Sequence, residues 1–372
     1  MKCKLSDICS FRKAKVGIEN LNEQNYISTE NMLPNKGGIT KASSLPNVPT
    51  IHEYKKGDIL VSNIRPYFKK IWQAKYDGGC SNDVLTFVPN VNVDKSFLYY
   101  VLANDDFFKY SMATSKGTKM PRGDKTAIMN YEVSLFDLNT QKKIASILKA
   151  LDEKIELNNA INNNLEQQAQ AIYQQMFIDN ASSEWTEGTL SDIADITMGQ
   201  SPSGSSYNED GNGTIFFQGR AEFGYRFPTI RLYTTEPKRI ACANDTLMSV
   251  RAPVGDLNVA HTDCCIGRGL AAIHSKNNHQ SFILYTMLSL KKQLDVFNGE
   301  GTVFGSINRN SLNEMPILIP SSEKLDEFEI LVAPMDAAIR NNYDEIFRLE
   351  QLRDSLLPKL MSGELDVSDI NL

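Results

Sequence analysis

The sequence predicts an α+β protein of two similar domains, each a twisted, mainly antiparallel sheet with short helices, and each followed by a long helix. Two observations predict it. The second half of the chain repeats the first, and each half ends in a long heptad pattern of apolar residues. The expected boundaries are 1–139 for the first domain, 140–180 for the first helix, 181–321 for the second domain, and 322–372 for the second helix with a C-terminal motif.

The internal repeat rests on several echoes with a nearly constant offset. Leu5–Ile8 recurs 185 residues later as Leu190–Ile193, and Gly57–Ser62 is echoed at 187 by Asn244–Ser249. Across the heptad region the offset stays at 184. One such echo could be chance, but their common offset, close to half the chain length, indicates a tandem duplication.

Each predicted domain consists of short apolar runs broken by Gly, Pro, Asn and Asp, which is typical of strands joined by turns. The predicted strands are Asp58–Ile64, Val84–Val88, Thr246–Val250 and Leu270–Ile273. The predicted short helices are Phe97–Tyr110 and Phe282–Phe297.

The two long helices are predicted from residues that alternate at spacings of four and three. In the first helix this seam is Ile144, Leu148, Leu151, Ile155, Asn158, Asn162, Leu165, Ala169, Ile172 and Met176. The equivalents 184 residues later are Phe328, Val332, Met335, Ile339, Asn342, Ile346, Leu349, Arg353, Leu356 and Leu360. Pro334 suggests that the regular second helix begins near it, and Pro358 should end or kink that helix.

An apolar seam of this length must be covered, and pairing the two helices with each other covers both. Parallel and antiparallel pairings are both sterically open. An antiparallel coiled coil would give the duplicated chain a pseudo-two-fold axis and place the domains at opposite ends. Asn158, Asn162 and Asn342 would then set the register at some cost in stability. The alternative is that each helix packs only onto its own domain.

Charge is distributed unevenly along the 372 residues, whose net charge is −6. Residues 1–139 hold 19 Lys and Arg against 14 Asp and Glu, whereas residues 322–372 hold 5 against 12. A basic first domain is compatible with phosphate contact, which depends on local patches and not on the total. No apolar run is long enough to span a bilayer, and the N-terminus lacks a signal core, so we expect a cytoplasmic protein.

Sequence patterns for catalysis and metal binding are missing. There is no N/D-P-P-Y/F tetrapeptide, no phosphate-binding G-x-x-x-x-G-K-[ST] loop and no C-x-x-C pair. Glu53-Tyr54-Lys55 matches only the second half of a magnesium-dependent nuclease motif. The chain is therefore expected to be non-catalytic, to hold no metal and to bind no cofactor.

The clearest candidate for nucleic-acid contact is the loop Lys116–Lys125, with four cations in ten residues shaped by two glycines and a proline. Lys and Arg contact phosphates, and Arg can also grip a guanine edge with two hydrogen bonds. The repeat equivalent, Gly301–Asn310, exchanges charge for Asn and Ser. The candidate DNA-contacting residues are Arg65, Lys69, Lys70, Lys116, Thr118, Lys119, Arg122, Lys125, Arg220, Arg226, Arg251, Thr302, Ser306, Asn308, Arg309 and Asn310. The alternatives are a solvated loop without a ligand and, for Arg220 and Arg226, surface charge or an aromatic core.

These features resemble the specificity subunits of type I restriction–modification enzymes. Leu357–Leu365 closely matches a motif that follows their second helix, Ser146–Ile155 resembles the start of their first helix, and Ser249–Pro253 resembles a core strand. The resemblance implies that each domain is a target recognition domain that reads one half of a split, asymmetric site in double-stranded DNA. The helices would fix the spacer between the halves.

The resemblance also implies partners. Two methyltransferase subunits would dock on the helices and methylate adenine with S-adenosylmethionine, and restriction subunits would add ATP- and Mg-dependent cleavage. One departure is that residues 181–321 are net acidic, with 11 basic against 14 acidic residues. Two other functions stay open: a standalone DNA methyltransferase or endonuclease with unrecognised catalytic residues, and a coiled-coil scaffold that does not touch DNA.

Overall fold

Two long helices organise the chain in this computed structural model, which describes residues 2–299, 305–368 and 370. The first long helix is Leu138–Tyr173 and continues as a π-helical turn, Gln174–Asp179. The second long helix is Ser322–Ser362. The chain divides into two units, residues 1–157 with 345–372 and residues 158–344. Each unit therefore contains one globular domain and part of both long helices.

The first unit contains two sheets and a ribbon. The four-stranded antiparallel sheet has the order Cys9–Phe11, Val84–Pro89, Ile59–Ser62 and Ile71–Gln73. The second sheet has the order Lys15–Gly17, Thr50–Tyr54, Gly78–Cys80 and Tyr26–Ile27, with only its last pair parallel. Lys2–Lys4 pairs with Glu132–Ser134. The short helices are Leu5–Ile8, Lys95–Ala103, Asp105–Ala113 and Lys125–Met129, with 3-10 turns at Ile18–Asn20 and Pro66–Phe68.

The second unit repeats this plan. Its four-stranded antiparallel sheet has the order Ala194–Met198, Leu270–Ser275, Thr246–Ser249 and Leu257–Val259. The second sheet has the order Tyr207–Asn208, Leu232–Thr234, Thr214–Phe217, Cys264–Ile266 and Ile240–Ala241. Thr186–Thr189 pairs with Pro316–Ile319. The short helices are Leu190–Ile193, Gln280–Ser289, Lys291–Leu294 and Arg309–Asn313, with 3-10 turns at Gly204–Ser206, Arg220–Glu222 and Asp295–Asn298.

The two four-stranded sheets have the same strand order, each strand lying 185 to 187 residues after its counterpart. The second sheets share only three strands. In the first unit the extra strand, Lys15–Gly17, extends the sheet beside Thr50–Tyr54. In the second unit the extra strand Leu232–Thr234 pairs with Thr214–Phe217, and the extra strand Tyr207–Asn208 pairs with Leu232–Thr234. The duplicated halves are therefore alike in the sheet that carries the core and different in the sheet beside it.

Burial explains why the central strands read as continuous apolar runs. Ile59 and Val61 point into a cluster with the short helices, while Leu60 points the other way, into a cluster with Tyr54 and Cys80. A sheet covered on both faces needs apolar residues at successive positions. The predicted strands over 58–64, 84–88, 246–250 and 270–273 are confirmed. The predicted helices over 97–110 and 282–297 are each divided into shorter helices.

In the first unit the two long helices are antiparallel. Arg353 donates to Asp152 at 3.0 Å, and nearer the first helix's N-terminus Ile144 and Leu148 share a core with Leu357 and Leu360. As the residue number increases along the first helix, the number of the contacting residue in the second helix decreases. Only an antiparallel pair shows this relation. That core also contains residues of the four-stranded sheet, so the helix ends are anchored in the domain.

The second unit shows the same arrangement. Asn342 Nδ2 donates to Asn162 Oδ1 at 2.8 Å, and further along the first helix the Tyr173 ring lies 5.9 Å from that of Phe328. The prediction of an antiparallel coiled coil is confirmed in each unit. In the first helix's seam the buried residues of this unit are Asn158, Asn162 and Ala169, and the partly buried ones are Leu165 and Ile172. In the second helix's seam the buried residues are Phe328, Val332 and Ile339, and the partly buried one is Met335. In the first unit Ile155 is buried, and Leu151, Ile346, Leu349 and Leu356 are partly buried.

The predicted start of the second long helix near Pro334 is wrong, and Pro358 does not end that helix. The second long helix begins at Ser322, before Pro334, and continues past Pro358 to Ser362. Proline removes one backbone hydrogen bond and crowds the preceding turn. Here Leu325 and Phe328 before Pro334, and Ile339 after it, are buried in the core of the second unit, and this packing stabilises the helix on both sides of the proline.

Candidate nucleic-acid interface

In the first domain, the end of strand Ile59–Ser62 contacts the basic loop, residues 116–125. Ile64 and Arg122 form an isolated antiparallel bridge, and the Arg65 N–H donates to the Pro121 carbonyl at 2.8 Å. The loop is thus attached to the sheet by backbone hydrogen bonds, which do not depend on its side chains.

The second domain makes the same contacts with different side chains. Arg251 and Ser306 form the equivalent bridge, and the Ala252 N–H donates to the Gly305 carbonyl at 3.0 Å. The bridge partners lie 187 and 184 residues after Ile64 and Arg122, which are the offsets of the repeat. The duplication has therefore kept the backbone of this edge and changed the groups that it presents.

The basic loop closes as a small hairpin in which the backbones of Lys116 and Arg122 exchange hydrogen bonds of 2.8 and 2.9 Å. Gly117 has a φ of 90°, a conformation that side chains with a Cβ rarely adopt. Lys116 pairs with Asp124 at 2.6 Å, and Arg122 pairs with Asp83 at 3.3 Å. These carboxylates fix the directions of two cations and leave both largely exposed.

The remaining polar side chains of the basic loop point into solvent. Thr118, Lys119 and Lys125 are exposed, and neither lysine has an ion pair among the described residues. Asp124 accepts from the N–H groups of Thr126 and Ala127 and so caps a short helix. The Lys116 ammonium, with these N–H groups, lowers the pKa of the Asp124 carboxyl, which keeps the cap charged.

The turn after the same strand carries three further candidates. Lys69 pairs with Asp105 at 2.7 Å, and Lys70 Nζ donates to the Thr29 carbonyl at 2.7 Å. Burial lowers the pKa of Lys70. Arg65 is half-buried, and its Nε has no hydrogen-bond partner among the described residues. Lys69 and Lys70 thus hold loops of their own domain together, whereas Arg65 retains donor capacity.

In the second domain the segment 305–310 presents polar groups. Ser306, Asn308, Arg309 and Asn310 are exposed, and Asn308 Oδ1 accepts from the Ser311 N–H at 2.9 Å, capping the helix Arg309–Asn313. Arg251 is exposed at the adjoining strand end. Thr302 lies outside the described residues. The cap by Asn308 is the counterpart of the cap by Asp124, so an uncharged amide replaces a carboxylate.

Arg220 lies near the same edge and is paired. Its guanidinium contacts Asp256, which also binds Lys291 at 3.2 Å. Burial raises the pKa of the Asp256 carboxyl, but hydrogen bonds from these two cations outweigh burial and lower it overall. The Arg220 side chain is 56% exposed, so it can still reach a ligand.

Arg226 is a correction to the candidate set. Its side chain is only 6% exposed. Its guanidinium contacts Asp336 on the second long helix and lies 3.5 Å from the Glu166 carboxylate on the first. Burial lowers the pKa of Arg226, but Asp336, Tyr285 and Glu166 outweigh it and raise the pKa overall. A cation enclosed by two carboxylates holds the domain to the helices and is not available to phosphate.

Sequence reasoning missed Arg268. It is exposed between two glycines where three chain segments cross, and it has no ion pair among the described residues. The crossing is close: a Cβ on Gly199 would lie 2.1 Å from the Gly267 carbonyl oxygen, and one on Gly269 would lie 2.9 Å from that of Gln218. The Gly269 carbonyl accepts from Val250 at 2.9 Å, which places Arg268 near Arg251. The glycines around one arginine were the signal available in the sequence.

The described residues also bear on other kinds of site. They contain no group of three or more His, Cys, Asp or Glu side chains able to hold a metal ion. Within the same residues, no helix combines the length and apolar character that a membrane span requires.

Comparison with known proteins gives a consistent result. The family model for the type I restriction modification DNA specificity domain matches residues 1–167 and 182–342. The putative type I restriction enzyme MjaX specificity subunit of Methanocaldococcus jannaschii is 30% identical over 339 residues, covering 84% of this chain and 79% of that protein. The HindI specificity subunit of Haemophilus influenzae is 24% identical, covering 91% of this chain and 94% of that protein.

The fold has a solved counterpart. The crystal structure of the type I restriction-modification system S subunit from M. genitalium aligns with a TM-score of 0.65 at 18% identity, covering 99% of this chain and 96% of that chain. At this identity the likeness concerns the fold alone.

Proposed function

The chain belongs to the type I restriction modification DNA specificity family, and on this premise we propose that it is the DNA-recognition subunit of a type I restriction–modification complex. Residues 1–139 and 181–321 are the two target recognition domains, and each reads one half of a split site. The observation that carries this assignment is the shared strand-end edge, at which Ile64–Arg122 and Arg251–Ser306 repeat the backbone contact and differ in side chains.

The basic loop supplies the electrostatic part of binding in the first domain. Lys119 and Lys125 are exposed and without ion pairs among the described residues, as phosphate contacts require. Arg122 is directed by Asp83, and a guanidinium held in one direction is suited to the two acceptors of guanine.

The second domain achieves recognition with fewer charges. Arg251 and Arg268 lie at the strand-end edge, and Ser306, Asn308, Arg309 and Asn310 follow along the same segment. Asn and Ser read base edges by hydrogen bonds without adding charge. This explains how a net acidic domain can still read DNA.

The long helices set the spacer and dock the partner subunits in this proposal. The partly buried polar pair of Asn162 with Asn342 supports a ruler of fixed register. Large apolar side chains are exposed on the helices, at 54% for both Leu157 and Phe347 and 46% for Leu352. Exposed apolar side chains of this kind favour a protein partner.

The chain itself carries out recognition and is not the enzyme. Two methyltransferase subunits would bind S-adenosylmethionine and modify adenine, and restriction subunits would use ATP and Mg. We expect the complex to act in the cytoplasm. A standalone methyltransferase or nuclease is the competing function, and purified chain that methylates or cuts DNA without partners would establish it.

A domain exchange tests the proposal. Residues 181–321 are replaced by the corresponding domain of another family member, and the methylated sequence is determined by methylome sequencing of cells that also carry the methyltransferase subunit. We expect one half-site to change and the other to stay the same. An unchanged methylated sequence would refute the recognition function.

A further inference from the structure

Two adjacent aromatic rings are exposed on the turn Pro66–Phe68 of the first domain. Tyr67 is 48% exposed and Phe68 is 36% exposed, and their ring centroids lie 4.6 Å apart. Single apolar side chains are common on protein surfaces, but a packed pair on a short turn forms a continuous apolar surface.

The turn has an unfavourable backbone. Arg65 and Lys69, which flank it, have φ values of 49° and 51°, a left-handed conformation that non-glycine residues rarely adopt. In the second domain Gly255 lies 186 residues after Lys69. Val254 lies 186 residues after Phe68, and it is fully buried. At this turn the second domain thus has a glycine, which adopts a positive φ without strain, and its valine side chain is buried. Strain retained in one copy only points to a function of that copy.

Neighbouring loops hold the turn rigid. The Asn35 N–H donates to the Phe68 carbonyl at 2.8 Å, and the Lys36 N–H donates to the Lys69 carbonyl at 2.9 Å. Lys36 and Lys69 both pair with Asp105, at 3.0 and 2.7 Å. The rings are therefore presented on a fixed backbone, which limits the entropy lost when they bind a partner.

The surroundings of the rings indicate an anionic partner. Arg65, at the start of the turn, donates its N–H to Pro121 of the basic loop at 2.8 Å, so the turn adjoins the loop that carries Lys119 and Arg122. Lys70 Nζ lies 5.7 Å from the centre of the Phe68 ring. An apolar pair bordered by cations is complementary to nucleotides, which combine aromatic bases with phosphates.

We propose that Tyr67 and Phe68 contact the nucleotides of the first half-site through their aromatic rings. The inference rests on the proposed function and deepens it. The basic loop supplies phosphate contacts, and the aromatic pair supplies an uncharged contact, whereas Val254 at the equivalent turn of the second domain is buried. Because the base faces are stacked in an intact duplex, the rings would contact base edges in the groove, such as the methyl group of thymine.

The test uses the complete methyltransferase complex and a duplex containing its methylated sequence. The double variant Tyr67→Ala/Phe68→Ala should bind about ten- to a hundredfold more weakly, since it removes the apolar area that the two rings would bury against the DNA. The slope of log affinity against log salt should not change, because no charge is removed. Tyr67→Phe should retain wild-type affinity, and so should Val91→Ala, which truncates a side chain that is 90% exposed elsewhere in the domain.

Two results would overturn the inference: wild-type affinity in the double variant, or weaker binding with an altered salt slope, which would mean that the cations had moved. The thermal unfolding midpoint should match that of wild type, because both rings are exposed. A wild-type complex that binds its methylated sequence no better than an unrelated duplex would instead refute the proposed function.

Discussion

Asn162 and Asn342 face each other between the two long helices, with Asn342 Nδ2 donating to Asn162 Oδ1 at 2.8 Å. Asn162 is only 4% exposed. Two amides that meet at this level of the seam favour one register over its neighbours, because a shifted helix would separate them and break this hydrogen bond.

The asparagine pair gives the first prediction. Asn162→Leu leaves the Asn342 amide without its acceptor and should lower the free energy of unfolding by about 1–3 kcal/mol. The double variant Asn162→Leu/Asn342→Leu removes both polar groups and should recover most of that loss. Urea denaturation of the wild type, the single variant and the double variant measures their free energies of unfolding. Equal stability of single and double variants would show that the hydrogen bond does not matter.

The buried ion pair of Arg226 gives the second prediction. Arg226→Met leaves the carboxylates of Asp336 and Glu166 without their cation and should cost about 3–5 kcal/mol of stability. Arg220→Ala is the matched control, because it breaks an exposed pair and should cost at most about 1 kcal/mol. Denaturant midpoints compare the two, and equal losses would contradict the structural role of Arg226.

The exposed lysines of the basic loop give the third. Lys119→Ala and Lys125→Ala should each reduce the slope of log affinity against log salt by about 0.9, the value for one phosphate contact. Binding of the methyltransferase complex to its duplex is measured over a salt series. Lys75→Ala removes the same charge from a lysine paired with Glu156 and should leave the slope unchanged. A slope that none of these substitutions alters would exclude the basic loop from the interface.

Arg268 gives the fourth. Arg268→Ala and Arg268→Lys should both relax the base requirement at one position of the second half-site, by about 1–3 kcal/mol of discrimination. Lysine keeps the charge but cannot form the two parallel hydrogen bonds. Methylome sequencing reads the outcome. If lysine preserves specificity fully, Arg268 contacts phosphate and does not read a base.

The helix ruler gives the fifth. Seven residues inserted after Ile161, with seven more after Tyr343, would lengthen the paired helices by about 10.5 Å. The spacer between half-sites should grow by about three base pairs at ~3.4 Å each. Insertion into the first helix alone should abolish activity, because Asp152 and Arg353 could no longer meet while Asn162 faces Asn342. An unaltered spacer after matched insertion would refute the ruler.

Part of the candidate interface was accessible from sequence. The density of charge in residues 116–125 and the repeat offset led to the loops that contact the strand ends in both domains. Arg226 was assigned by charge alone, and its carboxylate partners lie 60 and 110 residues away. Tyr67 and Phe68 were missed because exposure is not encoded in residue type. Arg268 was missed because the glycines around it indicate a close approach but not which segments cross there.

The sequence by itself determined the duplication, the central strands and the heptad seams, because these depend on residue order and on the periodicity of a local backbone. Tertiary structure alone decided between parallel and antiparallel helices, carried the second long helix past Pro334 and Pro358, and enclosed Arg226 between Glu166 and Asp336. The reason is physical. Periodicity is a property of neighbours along the chain, whereas pairing and burial depend on which distant segments come together and on the packing energy that they gain.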